Sequence, residues 1–224
     1  MSDGIGPASG PFPNPGGLAD FLGLAQRAYS VDDAGMIRFR GSRDGVRVSG
    51  FVRLPYDVIA GRSVVLDAPV GGPFDVTVGL ADVLTAGDTV DLAALTRRDV
   101  HWLTPLPPDL GWQRLERVPD TAIRELVRSG ALLARSTDTR NGQQALLSSV
   151  VLTVDAADGR PRAEVPLGPL SALTKMAFLP RGGEAAIDTA PGWLRVAAQY
   201  GSTYLATAGA GPLGAGPLGN LLSG

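Results

Sequence analysis

Residues 36–40 and 46–54 each alternate apolar and polar side chains, and Ser42-Arg43-Asp44-Gly45 separates them. Asp-Gly between two alternating runs marks a β-hairpin, because Gly accepts the positive φ that a tight turn demands. Nothing else in the chain restricts the fold as strongly, and the signal recurs. Residues 145–154 and 160–165 flank Asp158-Gly159, and residues 185–188 and 193–198 flank Ala190-Pro191-Gly192-Trp193. The last of these has Pro and Gly where a type II turn wants them. A helix over 193–205 competes with this third hairpin, since Trp193, Val196, Ala197, Tyr200 and Tyr204 also share a helical face.

Helical stretches lie between the hairpins. Phe21, Leu22, Ala25 and Ala28 form one stripe of a helix over 18–29. Residues 79–86 and 170–179 also read as helices, with one helical turn over 56–61 and short strands over 63–67 and 74–78. Residues 120–136 form an amphipathic helix with Ile123, Leu126, Val127, Leu133 and Ala134 on one face, Asp120 or Thr121 as its cap, and Gly130 as the point where it bends or ends. Hairpins joined locally with helices between them predict an α+β fold of antiparallel hairpins packed with short helices.

The ends differ from the middle. Gly and Pro recur over 1–16 without periodicity, which predicts a disordered arm. Residues 208–224, with two Pro-Leu-Gly copies and four Leu, read as a flexible tail. Residues 17–207 then form one α+β domain, with a subdivision expected near the Pro-rich connector 103–111.

Composition excludes several chemistries. The 224 residues include no Cys and one His, so thiolate sites and multi-histidine metal sites are out, and no cofactor is expected. The net charge of −2 gives no global field for a polyanion. No run of about 18 apolar residues exists to span a membrane, and the first fifteen residues lack a secretory pattern. The expected location is the cytoplasm.

RLPYDVIAGRSV (53–64), GWQRLERVP (111–119) and GWLRVAAQYGSTYL (192–205) together resemble segments of uncharacterised actinobacterial proteins of similar size, over residues 36–205. The resemblance implies a bacterial cytoplasmic protein built as one globular unit. It brings no activity, cofactor or catalytic residue, because its motifs are Trp, Pro and Gly anchors that report architecture.

Candidate sites are few. His101 lies two residues from Asp99, but no G-x-S-x-G elbow presents a nucleophile. Asp82, Asp88, Asp91 and Asp99 are the densest acids and match no metal-loop spacing. The first hairpin offers more. Arg38 and Arg40 project from one side of its first strand, and Arg47, Phe51 and Arg53 share a face of its second. Six Arg against two Asp between Gly35 and Arg62 give a local charge of +4 suited to an anion. A winged-helix reading uses Arg124, Arg128 and Arg135 on the helix with Arg160 and Arg162 at the second hairpin's turn. Trp102, Trp112, Trp193, Tyr200 and Tyr204 belong to the core, a pocket or an association surface.

With no catalytic constellation present, the expected function is a non-catalytic binding or adaptor protein that self-associates as a homo-oligomer or binds a protein partner. The alternative is a nucleic-acid-binding regulator using the Arg-rich hairpin or the winged-helix-like segment.

Overall fold

The computed structural model describes residues 15–55, 57–66, 73–87, 92, 94–135, 139–154 and 163–207. The tail expected over 208–224 lies outside them, as does the arm up to residue 14. Pro15 and Gly16, read as part of that arm, already belong to the first helix. The fold is α+β, with antiparallel strands and five short helices among the described residues. No helix there is long and apolar enough to cross a membrane. The chain divides into two compact units, Met1–Arg53 with Gly61–Trp102, and Leu54–Ala60 with Leu103–Gly224.

The first unit contains α1 (Pro15–Tyr29), β1 (Met36–Gly41), β2 (Arg47–Arg53), most of β3 (Val58–Val65), β4 (Asp75–Gly79) and α2 (Leu80–Ala86), in the strand order β4-β1-β2-β3. The first hairpin forms as its turn residues dictate. Ile37 pairs with Val52 and Gly41 with Val48, and Gly45 takes a φ of 71°. Asp44 stabilises the turn by accepting hydrogen bonds from Ser42 Oγ and the Val46 amide, which hold its carboxyl below the ordinary range.

Ile37, Phe39, Val48 and Val52 turn inward, and α1 closes over them with Phe21, Leu24, Ala25 and Ala28. Fully burying such a large apolar side chain contributes about 1.5–3 kcal/mol. Phe21 meets Phe39 edge to face at 5.2 Å. The helix lies that close because Gly50 has no Cβ, which would sit 2.8 Å from the Phe21 ring.

The second unit adds β5 (Gln113–Pro119), α3 (Asp120–Arg135), α4 (Arg140–Ser148), β6 (Val150–Val154), β7 (Ala163–Pro166), α5 (Leu167–Lys175), β8 (Glu184–Ala190), β9 (Trp193–Ala198) and β10 (Gly201–Ala206). Its main sheet runs β10-β9-β8-β5, and β6 and β7 form a separate ribbon. Ala185, Ile187, Leu194 and Val196 are buried in its core, together with Leu170 and Leu173 of α5. On β10, Thr203 ties the sheet to α5 by donating from Oγ1 to the Pro169 carbonyl at 3.0 Å.

Four expectations change. Residues 58–61 open β3 rather than a helical turn, since a turn at Asp57 (φ 59°) returns the chain directly into a strand. Residues 145–148 end α4, capped at its start by Thr139 Oγ1 on the Gly142 amide, so the second hairpin begins only at Val150. Gly130 neither bends nor ends α3. It sits mid-helix where a Cβ would lie 2.4 Å from Leu167 Cδ2, so its role is close packing. Leu133, placed on the apolar face of α3, is 59% exposed. The third hairpin forms, with Ala190 opposite Trp193 and Gly192 at φ 74°, and the competing helix over 193–205 does not. A further strand, β10, pairs with β9.

Candidate functional site

The register of β1 and β2 decides the fate of the Arg-rich hairpin. Arg38 is opposite Phe51 and Arg40 opposite Ser49, so Arg38, Arg40, Arg47, Phe51 and Arg53 do share one sheet face. Strand β4 then brings acid to that face, with Thr77 beside Arg38 and Asp75 beside Arg40. Arg38 holds Asp75 through two hydrogen bonds, Nε to Oδ1 at 2.6 Å and Nη2 to Oδ2 at 2.8 Å. This bond keeps the guanidinium pKa above its ordinary value against the opposing effect of burial.

Asp99 adds a second carboxylate, accepting from the Thr77 amide at 2.7 Å and from Arg97 Nε at 2.9 Å. Burial works against its charged form. The Thr77 amide, Arg97 and Arg38 together overcome that, and its pKa lies below the ordinary value. Arg38 and Arg97 therefore face Asp75 and Asp99, and this corner of the face is neutral. Phe51 is 4% exposed with the Arg40 guanidinium 5.3 Å above its ring, so it is not a platform on which a base can stack. Beneath the pair, Thr77 Oγ1 is buried with no hydrogen-bond partner among the described residues.

A second row of charge crosses the second unit. Arg114, Asp188, Arg195 and Tyr204 are successive cross-strand neighbours on β5, β8, β9 and β10. The Asp188 side chain is only 2% exposed, and it accepts from Arg114 Nε at 3.2 Å and from Arg195 Nη2 at 2.7 Å. Trp112 covers Arg195, its ring centroid 4.3 Å from the guanidinium carbon, and leans on Tyr204 at 5.8 Å. Its indole N–H donates to the Pro108 carbonyl, which ties the Pro-rich connector to this stack. Sequence reasoning singled out Trp112 and Tyr204 but missed Asp188 and Arg195. The available signal was their place on either side of the Pro191-Gly192 turn, which makes them cross-strand partners.

At the end of the same sheet lies an open groove of about 680 Å³, bounded by the β8–β9 turn, the end of β10, the start of β5 and the β6–β7 ribbon. Ala190, Pro191, Trp193, Leu205, Val150 and Pro166 wall it, and Glu164 is the only ionisable side chain among the described residues lining it. Val150 is 47% exposed at its rim.

The remaining candidates do not assemble. His101 is exposed, and Asp99 faces Thr77 and Arg97 rather than the imidazole. Asp82 pairs with Arg98 at 3.4 Å, while Asp88 and Asp91 lie outside the described residues. No cluster of three metal-ligating side chains occurs among the described residues. Of the winged-helix arginines, Arg124 donates to Asp120 and to the Leu179 carbonyl, and Arg128 pairs with Glu125 at the surface. Asp120 is held below its ordinary pKa because Arg124 and neighbouring amides outweigh burial. Arg160 and Arg162 lie outside the described residues. Trp102 and Trp193 are buried.

Two families described as domains of unknown function match the chain, DUF8010 over residues 11–103 and DUF8185 over 107–210. Their limits fall close to the division between the units at Trp102 and Leu103. No curated protein matches in sequence. Solved structures do match in fold. The chain is similar to the DNA polymerase III subunit beta from Pseudomonas aeruginosa (TM-score 0.56, 12% identity), covering 84% of this chain and 62% of that one. It is also similar to the DNA polymerase beta subunit of Streptococcus pyogenes (TM-score 0.54, 10% identity, 85% and 62%). A third is the DNA polymerase sliding clamp from Bacillus subtilis (TM-score 0.54, 14% identity, 84% and 62%). The chain thus has a fold like that of sliding clamps and spans 62% of the length of each of these three.

Proposed function

We propose that the chain works by binding a protein partner or a second copy of itself, without making or breaking covalent bonds, and that the groove of the second unit is the seat. The groove itself carries this reading. Its size falls in the range of about 300–1,000 Å³ typical of ligand sites, its walls are mainly apolar, and Glu164 is the single ionisable group among the described residues lining it. Acid–base catalysis needs titratable groups that converge on a reacting atom. The converging charges on the same sheet, Asp188 with Arg114 and Arg195, are bound to one another. The fold likeness points the same way, since the similar proteins are by name subunits of a polymerase.

The test compares the full chain with Val150→Glu and Ala206→Glu, both at exposed groove positions. Light scattering across a concentration series reads self-association, and affinity capture reads partners. The expected result is an oligomer or a stoichiometric partner that both variants lose. A chain that stays monomeric at high concentration and captures nothing that the variants lack removes this reading.

A second reading rests on the β1–β2 register, which gathers Arg38, Arg40, Arg47 and Arg53 on one face. If that face binds a nucleic acid, retention on single-stranded DNA falls steeply with salt, and replacing Arg40, Arg47 and Arg53 with Ala flattens the slope by about one per lost phosphate contact. No retention at low salt excludes it.

A further inference from the structure

The main sheet of the second unit ends at the groove, and so does the described chain. Leu205, Ala206 and Thr207 line the cavity, and the Thr207 amide is pinned to the Gly192 carbonyl at 2.8 Å. Residues 208–224 continue from this point with no charged residue, two Pro-Leu-Gly copies and Leu221-Leu222. We propose that this segment of the same chain is an occupant of the groove, with Leu213 and Leu218 seated against its apolar wall.

Three observations converge on that occupant. The first is reach. Leu213 follows Thr207 by six residues, and a chain of that length extends at most about 20 Å, so the first Pro-Leu-Gly copy is confined to the neighbourhood of the groove. The second is chemistry. An uncharged segment whose large side chains are all Leu matches walls of Ala190, Pro191, Trp193, Leu205 and Val150. Pro before each anchor restricts the backbone and lowers the ordering cost, as in other proline-led peptides that dock on aromatic grooves. The third is concentration. A short tether presents the segment at an effective concentration in the millimolar range, which a second copy reaches only at comparable protein concentration.

The intervening glycines resist ordering, so a few anchors hold the segment weakly. Such an occupant is displaceable. It shields the groove and competes with whatever else enters, which makes it a regulator of the site proposed above. The inference depends on that reading only for the identity of the competitor.

The chain has no Cys, so one substitution carries one probe. A nitroxide on Asn220→Cys in the full ¹⁵N-labelled chain is expected to erase the amide signals of Glu164 and Thr189, which both line the groove. Adding Leu213→Ser and Leu218→Ser is expected to restore them while leaving the tether intact. Signals that persist, or a loss that the Ser substitutions do not reverse, overturn the proposal. A loss that also appears when ¹⁴N spin-labelled chains are mixed with ¹⁵N chains carrying no nitroxide places a second copy's tail in the groove and overturns the same-chain occupant. No partner enters this experiment, so a failed partner search leaves its outcome unaffected.

Discussion

In the first unit Arg38 meets Asp75 near the rim of the sheet, with 24% and 41% of the two side chains exposed, whereas in the second unit Asp188 lies 2% exposed beneath two arginines. Both arrangements are cross-strand ion pairs on an antiparallel sheet face, yet their energetics differ. Water screens the first pair, and such contacts contribute about 0–1 kcal/mol. The second has a desolvated carboxylate compensated by Arg114 and Arg195, with Trp112 covering the latter. One corner tolerates loss of its acid. The other is organised around it.

The largest expected effect follows directly. Asp188→Ala leaves Arg195, 22% exposed, facing Arg114 without a counter-charge. Breaking a buried pair from one side costs about 3–5 kcal/mol, and because Arg114 is half solvated the low end, about 3 kcal/mol, applies. Urea unfolding at neutral pH measures it. A loss no greater than that of Asp75→Ala would erase the distinction between the two faces.

This contrast also shows what the residues disclosed unaided. Hairpins with Asp44-Gly45 and Pro191-Gly192 turns were legible because turn chemistry is local, and so was the face shared by Arg38, Arg40, Phe51 and Arg53, which follows from the period of two. The neutralisation of that face was not legible. It depends on Asp75, which lies 37 residues from Arg38 and arrives through the β4–β1 pairing. Asp75 lies beyond Arg62, outside the stretch that carries the local charge of +4. Likewise α4 took residues 145–148 from an apolar run that reads as strand, because Thr139 supplied a helix cap upstream. The groove was illegible for the same reason as Asp75: it is assembled from segments that only the fold brings together.

A smaller effect of opposite sign sharpens the comparison within the first unit. Thr77 carries a buried hydroxyl without a partner among the described residues, directly beside Arg38. Burying such a group costs free energy that an apolar isostere does not. Thr77→Val is expected to raise stability by about 1 kcal/mol, while Asp75→Ala lowers it by about 1 kcal/mol or less, the latter fading in high salt. Thermal unfolding of both variants at two salt concentrations measures the difference. A destabilised Thr77→Val protein would mean that the hydroxyl has a polar partner after all.

The smallest effect concerns the outer edge of β4. There Asp99 accepts the Thr77 amide, and the Arg98 amide donates to the Thr77 carbonyl at 2.7 Å, so a loop rather than a strand satisfies this edge. Asp99 has a folded pKa below its ordinary value, which is about 3.9. Its contribution is therefore complete above that value and disappears as the pH falls through the lower, folded one. Amide hydrogen exchange at Thr77 is expected to stay constant from neutral pH down to about 4.5, after correction for intrinsic rates, and to accelerate below about 3.9. Because the carboxylate is 40% exposed, the change is about fivefold or less. In Asp99→Asn the acid-dependent step vanishes, and if it persists there, another carboxylate secures the edge.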